Sequence, residues 1–383
     1  MQGEKSLKWK DKQKKVEGIV IAPLRSIKMK TIAYYISDYG FGHAARSIAI
    51  IRELLVRDPS YRVIICHSFA IEFLRNSLPN HQVSFRTIAT DVGYFLKEGS
   101  LEPDKEKLAK EFDRFVEKWE SKIQLEVQFF QQMKIDLVVS DISPLPFEAA
   151  DKVGIPSVGI SNFTWYTAYE NLLDQKRIEI WKNSYATMTC FFLLAGNLER
   201  NWPCEKRLFP FFARKVQEGK VEWVLDHVNP TRKKTVIFFG LGMKVDGIKV
   251  ESLPLWESEN CVFIVSSNVK VDRDNVFSIP KEETESQAYI AASDLVITKA
   301  GWGTVSEAVV YNVPLLILNR EGMKEDENTI NYIRKHGLGK TIEWGELLKY
   351  QYHGEKQEKK ENGFKNEVEE IVEKLREAEG RFS

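Results

Sequence analysis

Asp294-Leu295-Val296-Ile297-Thr298-Lys299-Ala300-Gly301-Trp302-Gly303-Thr304-Val305-Ser306-Glu307 is the segment from which the rest of the chain is read. Asp294–Ile297 reads as a buried parallel strand, and after the glycines Val305, Ala308, Val309 and Tyr311 recur at helical spacing. A strand, a glycine-rich turn and a helix aim several unpaired amide N–H groups at one point, where an anion is favoured. Glycines there let backbone approach a phosphate closely. Glu307 is expected about one turn into the helix, where its carboxylate can accept from a ribose diol. The plainer alternative is a tight turn followed by a surface Glu.

Composition narrows the classes. At 383 residues, with 43% apolar and 29% charged residues, the chain suits two soluble globular domains of moderate size. A formal net charge of zero gives no pointer to nucleic acid. Cys66, Cys190, Cys204 and Cys261 are scattered without metal-type spacing, and reduced thiols in a cytoplasmic protein are expected. No apolar stretch approaches the roughly 20 residues of a membrane span. Residues 1–29 form a basic leader with Lys5, Lys8, Lys10, Lys12, Lys14 and Lys15, expected to be a disordered, solvated tail, with peripheral membrane contact as the minority reading.

Apolar runs alternate with amphipathic stretches twice over. Thr31–Ile36, Arg62–Cys66, Val83–Ile88, Leu137–Val139 and Ser157–Ile160 read as strands, separated by helices at Ala44–Val56, Ala70–Leu78, Lys105–Met133 and Pro146–Val153. The pattern falters near Asn201–Pro210, then restarts at Thr235–Phe239, Val262–Ser266, Asp294–Ile297 and Leu315–Leu318. The fold class is therefore α/β, with two doubly wound, Rossmann-like domains at 30–218 and 219–362 and a final amphipathic helix within 363–383 that can pack back on the first domain. Such sheets bind ligands beyond the carboxyl ends of their strands, so two facing domains make a cleft.

A second glycine-rich loop follows the first strand: Asp38-Tyr39-Gly40-Phe41-Gly42-His43-Ala44-Ala45-Arg46. Gly40, Gly42 and Ala45 fit a dinucleotide fingerprint, but the second strand ends Cys66-His67-Ser68 without the carboxylate that fold wants for ribose. What remains is His43 at a helix N-terminus at the mouth of the sheet, a place for a general base or simply for a space-filling cap. Ile135–Asp141 is a strand whose end delivers Asp141 to the same cleft. A carboxylate on the far imidazole nitrogen fixes the tautomer and stabilises the imidazolium. Alternatively Asp141 caps the helix that follows it.

Together these motifs resemble GT-B nucleotide-sugar glycosyltransferases. The C-terminal motif is similar to the donor loop of lipid II-forming N-acetylglucosaminyltransferases and monogalactosyldiacylglycerol synthases. The N-terminal half, notably Ser140-Asp141-Ile142-Ser143-Pro144 and Ser161-Asn162-Phe163-Thr164-Trp165, is similar to the glycosyltransferase-like domain of plant arabinokinases, without their sugar-kinase half. The resemblance implies His43 as base with Asp141 as its partner. It implies donor contacts from Gly240, Gly242, Ile279, Gly301, Trp302, Gly303, Thr304 and Glu307. The donor sugar would meet Asp326, Glu327 and Asn328, a departure from the usual Asp-Gln or Gln-Gln pairing. Gly42, Phe163, Trp165 and Tyr166, with Tyr169 beside them, are expected at the acceptor. The co-substrate implied is a nucleotide sugar, UDP-linked, with no further cofactor and no metal; the acceptor is a small molecule, glycan or lipid.

The expected reaction is inverting transfer. Asp272-Arg273-Asp274 has the spacing of a metal-binding D-x-D, but a polar surface turn is the expectation there. A sugar-nucleotide epimerase of the same fold and a non-catalytic nucleotide-sugar sensor remain open.

Overall fold

A computed structural model describes residues 29–98, 102–241, 250–320, 322–354, 359 and 361–382. The basic leader before Met29 lies outside these residues. Two parallel sheets organise the chain. In the first, β1 (Lys30–Ile36), β2 (Tyr61–His67), β3 (Val83–Thr87), β4 (Leu137–Asp141), β5 (Ser157–Ser161), β6 (Cys190–Leu194) and β7 (Glu205–Phe209) run in the order β3-β2-β1-β4-β5-β6-β7. In the second, β8 (Thr235–Gly240), β9 (Cys261–Val265), β10 (Val276–Ser278), β11 (Leu295–Lys299), β12 (Leu315–Leu318) and β13 (Gly339–Ile342) run in the order β10-β9-β8-β11-β12-β13.

Helices cover both faces of each sheet, so central strands are apolar throughout; β4, β5, β6 and β9 are buried at every position. In each sheet the order reverses beside the first strand, between β1 and β4 and between β8 and β11. Loops diverge at such points and leave a crevice.

Two expectations need correction. The stretch Lys105–Met133 is two helices, Lys105–Val116 and Trp119–Met133, because Lys118 at φ −115° and ψ 35° breaks the ladder between them. Trp119, at the start of the second helix, is buried and donates its indole N–H to Glu148 at 3.2 Å. The faltering pattern near Asn201–Pro210 conceals edge strand β7, in which Glu205 and Leu208 face solvent.

The last helix, Val368–Phe382, returns to the first domain and packs on the helix Phe41–Arg57. Val368, Ile371, Val372 and Leu375 are buried there, and Arg376–Asp58 and Lys30–Glu379 ion pairs flank them at 3.0 and 2.5 Å. All four cysteines are free thiols. Among the described residues no helix is long and apolar enough to cross a membrane.

Candidate active site

The two glycine-rich loops meet face to face. Gly40, at φ 81°, lies in the left-handed region that glycine tolerates, and it turns the chain from β1 into the helix Phe41–Arg57. Gly301 precedes the helix Trp302–Val310 in an ordinary extended conformation, at φ −65° and ψ 120°. A Cβ on Gly303 would lie 3.2 Å from both the Cα and the carbonyl oxygen of Gly42, so a side chain here would have to push the two backbones apart by a few tenths of an ångström. Trp302 closes the junction by donating its indole N–H to the Ala195 carbonyl at 2.9 Å. A cavity of about 200 Å³ opens beside the contact. His43, Arg46, Gly301, Gly303, Thr304 and Lys299 line it, together with Phe41, Phe69, Arg320 and Glu325.

His43 and Asp141, 98 positions apart in sequence, meet at 2.8 Å through Nδ1 and Oδ1. Both are buried. Arg46, one helical turn beyond His43, joins them: its Nε donates to Asp141 Oδ2 at 2.6 Å and its Nη2 to Oδ1 at 2.5 Å. Arg46 Nη2 also lies 3.0 Å from His43 Nδ1, which raises the question of who donates to whom. Nη2 carries only two hydrogens. They are taken by Asp141 Oδ1 and by Ser161 Oγ at 3.1 Å. His43 Nδ1 therefore carries the proton given to Asp141, and the Nε2 lone pair is left outside this network. Burial alone would raise the Asp141 carboxyl, but Arg46 and His43 outweigh it and hold it below the usual carboxylate range.

Neither capping alternative survives. The helix Leu145–Val153 starts at Pro144 without a side-chain cap, and His43 lies inside its helix rather than at the cap. Arg46 is a site residue that the sequence motifs do not single out; its spacing of three from His43, on one helix face, is the signal that marks it.

On the second domain, Thr298 Oγ1 donates to the Gly240 carbonyl at 2.7 Å, tying the end of β8 to the donor loop. Gly242 lies outside the described residues, and the neighbouring Leu241 lines the cavity. Ile279 spends its N–H on the Val265 carbonyl at 2.9 Å, extending the ladder past β10. Glu307 is not the open ribose acceptor the sequence suggests. It is buried, paired with Arg214, and burial raises its carboxyl despite that partner.

The trio Asp326, Glu327 and Asn328 also needs correction. The helix Lys324–Lys335 turns about 100° per residue, which scatters them. Asp326 is buried in a two-bond pair with Arg320, both bonds at 2.6 Å. Glu327 is exposed and lines a separate outer pocket with Lys97. Asn328 is buried with no partner for its amide among the described residues. On this helix the acid that lines the cavity is Glu325, facing it together with Asp38 of the first domain. Lys299, the last residue of β11, is pushed down to about 8, first by burial and next by the charge of Arg320.

Phe163, Trp165 and Tyr166, expected at the acceptor, belong instead to the core of the first domain. Trp165 is fully buried and donates its indole N–H to Asp91 at 3.0 Å; Tyr169 is equally enclosed. Two of them back the site from behind: Phe163 stands edge-on to the His43 ring at 6.1 Å between centroids, and Trp165 edge-on to Tyr39 of the cavity wall at 5.7 Å. Of the acceptor set only Gly42 lines the cavity. The aromatic rings at its wall are Tyr39, Phe41, Phe69 and Trp302, with Phe41 and Phe69 5.6 Å apart.

A second polar cluster sits behind β1. His67 accepts from the Ala70 N–H at Nε2, 2.8 Å, so its proton is on Nδ1, facing the Ile36 carbonyl and Asp38 at 3.0 Å each. Asp38 is held low against burial by His67, while Asp91 is raised to about 7 by burial and then by the charge of Asp38. Asp272 and Asp274 are exposed in the loop before β10, away from the cavity.

Residues 272–375 match the glycosyltransferase family 28 C-terminal domain. Over 92–93% of its length the chain superposes on glycosyltransferase-type structures at low identity. Phytolacca americana UGT2, complexed with UDP-2fluoro-glucose and pterostilbene, gives a TM-score of 0.56 at 13% identity, over 92% of this chain and 94% of that one. Arabidopsis thaliana UGT89C1 gives 0.58 at 13% identity, over 93% of each. The chain has the GT-B fold. The chain is also 25% identical over 334 residues to L-arabinokinase of Arabidopsis thaliana, covering 85% of the present chain but only 32% of that relative. It thus spans about a third of the length of the curated relative it matches.

Proposed function

We propose that the protein transfers a sugar from a UDP-linked donor to a hydroxyl of a small-molecule acceptor, with inversion and without a metal ion. The observation that carries this reading is the placing of His43 and the N-terminus of the helix Trp302–Val310 on one cavity, with the His43 Nε2 lone pair left available by the Asp141 contact. The acceptor hydroxyl would give its proton to Nε2 as its oxygen bonds to the anomeric carbon. The bond from that carbon to the diphosphate oxygen breaks, and its electron pair leaves with the diphosphate. The amides of Gly301–Thr304 and the Lys299 ammonium would receive that charge. A positioned base contributes roughly a hundred- to ten-thousand-fold, and preorganised donors at the leaving group a comparable factor. Support for UDP comes from the fold neighbours crystallised with UDP-2fluoro-glucose and, in Medicago truncatula UGT71G1, UDP-glucose.

The test is a thermal-shift panel of nucleotides and nucleotide sugars, followed by acceptor screening with the best donor. A ligand at a hundred times its dissociation constant stabilises by about 2.7 kcal/mol. Stabilisation by UDP-sugars and product formation only with an acceptor are expected. Turnover without acceptor would replace transfer by epimerisation, and no response to any nucleotide would remove the donor assignment.

A further inference from the structure

We propose that Arg46 is the positioning residue of this site: it locks the Asp141 carboxylate in the orientation that offers Oδ1 to His43, and it does so while Trp302 of the second domain covers it. The inference rests on the reading of His43 as the base. A carboxylate held at one oxygen can turn about its Cβ–Cγ bond. Arg46 grips both, Nε on Oδ2 at 2.6 Å and Nη2 on Oδ1 at 2.5 Å, in the planar fork that suits a carboxylate. The fork is itself fixed from behind, since Nη1 donates to Asn162 Oδ1 at 3.0 Å and Nη2 to Ser161 Oγ at 3.1 Å at the end of β5. The remaining face of the guanidinium lies 5.2 Å from the centre of the Trp302 ring. That contact crosses between domains and is of cation–π type.

Two consequences follow for the imidazole. Every donor hydrogen of Nη2 is committed to oxygen, so Arg46 cannot donate to Nδ1 and draw the proton to Nε2. With the carboxylate locked, Nδ1–H has a fixed acceptor, and the lone pair stays on Nε2. Without the fork Asp141 Oδ2 keeps only the longer bond from Ser47 Oγ, at 3.3 Å, the carboxylate is held less firmly, and the Nε2–H form, useless as a base, competes. If the domains part, Trp302 leaves, the guanidinium is opened to water, and the lock loosens. The base is thus set only when the donor domain is in place. Lysine cannot replace Arg46, because a point charge cannot span two oxygens and still reach Asn162.

The experiment uses full-length protein labelled with ¹⁵N-histidine, with His43→Ala to assign the signal. The imidazole nitrogen shifts report which nitrogen is protonated, a signature that a merely structural role leaves unchanged. Wild-type protein is expected to be Nδ1-protonated at His43, while Arg46→Lys and Arg46→Ala show a mixture or the Nε2–H form. Trp302→Leu should move the signal part of the way. In turnover, Arg46→Lys should lower kcat at least about tenfold with KM for the nucleotide sugar within about twofold, and added guanidinium should restore Arg46→Ala severalfold. If Arg46→Ala does not fold, Arg46→Lys carries the test. An unchanged tautomer in a folded Arg46→Lys protein overturns the proposal. The tautomer reading needs no substrate, so wild-type protein that transfers no sugar yet keeps an Arg46-dependent tautomer would overturn the function and retain the positioning role.

Discussion

Arg214 grips Glu307 where the two domains join: both Nε and Nη2 lie 2.9 Å from Oε1, and both side chains are buried. The same guanidinium reaches the Thr284 carbonyl and Ser286 Oγ. The neighbouring Glu285 is paired across the domains with Arg52, at 2.6 and 3.0 Å. The acid that the donor motif assigns to ribose is therefore also a strut between domains.

This dual position dictates the variant to make. Glu307→Ala would leave a buried guanidinium short of its partner and destabilise the protein. Glu307→Gln keeps the shape and an acceptor for Arg214 while removing the charge. We expect Glu307→Gln to weaken UDP binding by about 1–3 kcal/mol in calorimetry. An unchanged affinity would leave Glu307 as the counter-ion of Arg214 alone.

His43→Ala is expected to lower turnover at least about a hundredfold with UDP affinity nearly intact. Asp141→Asn should also cost turnover, and the double variant should be little worse than His43→Ala because the two act as one unit. Fully additive losses in that cycle would separate Asp141 from the base, and wild-type turnover by His43→Ala would end the assignment.

Lys299, pushed down to about 8, loses its charge within the working range. UDP affinity should fall up to about tenfold between about pH 7 and about pH 9, where the terminal phosphate (second pKa about 6) is already ionised. Lys299→Gln should flatten the profile. An equal slope in both proteins would clear Lys299 of any part in holding the diphosphate.

Activity should persist in excess EDTA, since helix amides, Lys299 and the helix dipole are proposed to carry the leaving charge. Loss of turnover, restored by magnesium or manganese, would require a metal.

Asp91, raised to about 7, makes a prediction about stability. An unfolded chain releases this proton near about pH 4, the folded protein only near neutrality. Folding therefore takes up a proton between these values, and stability contributed by the group is lost as pH rises through 7. Asp91→Asn keeps an acceptor for Trp165 and should raise stability by about 1–3 kcal/mol at about pH 8, with a smaller gain toward about pH 4. A gain independent of pH would show that Asp91 is not the titrating group.

All the central strands but one, and both glycine loops, are legible because strands buried on two faces must be apolar and turns into helices need glycine; the exception is β6, whose apolar run Cys190–Leu194 is paired on both sides but is not read as a strand from the sequence. Of the edge strands only β3 is legible: β7, β10 and β13 carry Glu205, Lys206, Ser278 and Lys340, and pairing along one side alone tolerates such residues. The meeting of His43 with Asp141 was readable from strand ends, since both follow strands that become neighbours at the point where the sheet order reverses. Orientation was not readable. Phe163 and Trp165 on one side, and Asp326 and Glu325 on the other, differ by which way a residue faces on a short helix or loop. That is settled by packing, which no single stretch of sequence records.

The contact between Gly42 and Gly303 has a kinetic meaning. Loops this close leave no layer for a diphosphate where Gly303 meets Gly42, so a nucleotide that is to lie between the two loops, rather than in the cavity beside them, would wait for the domains to separate. Capture would then be gated: the observed rate should climb with nucleotide concentration and level off at the rate of opening, with an apparent association constant below the about 10⁵–10⁷ M⁻¹s⁻¹ of ungated docking. Dissociation would face the same gate, so a spent nucleotide would be slow to leave, and its release rather than the sugar transfer would set the pace of the cycle.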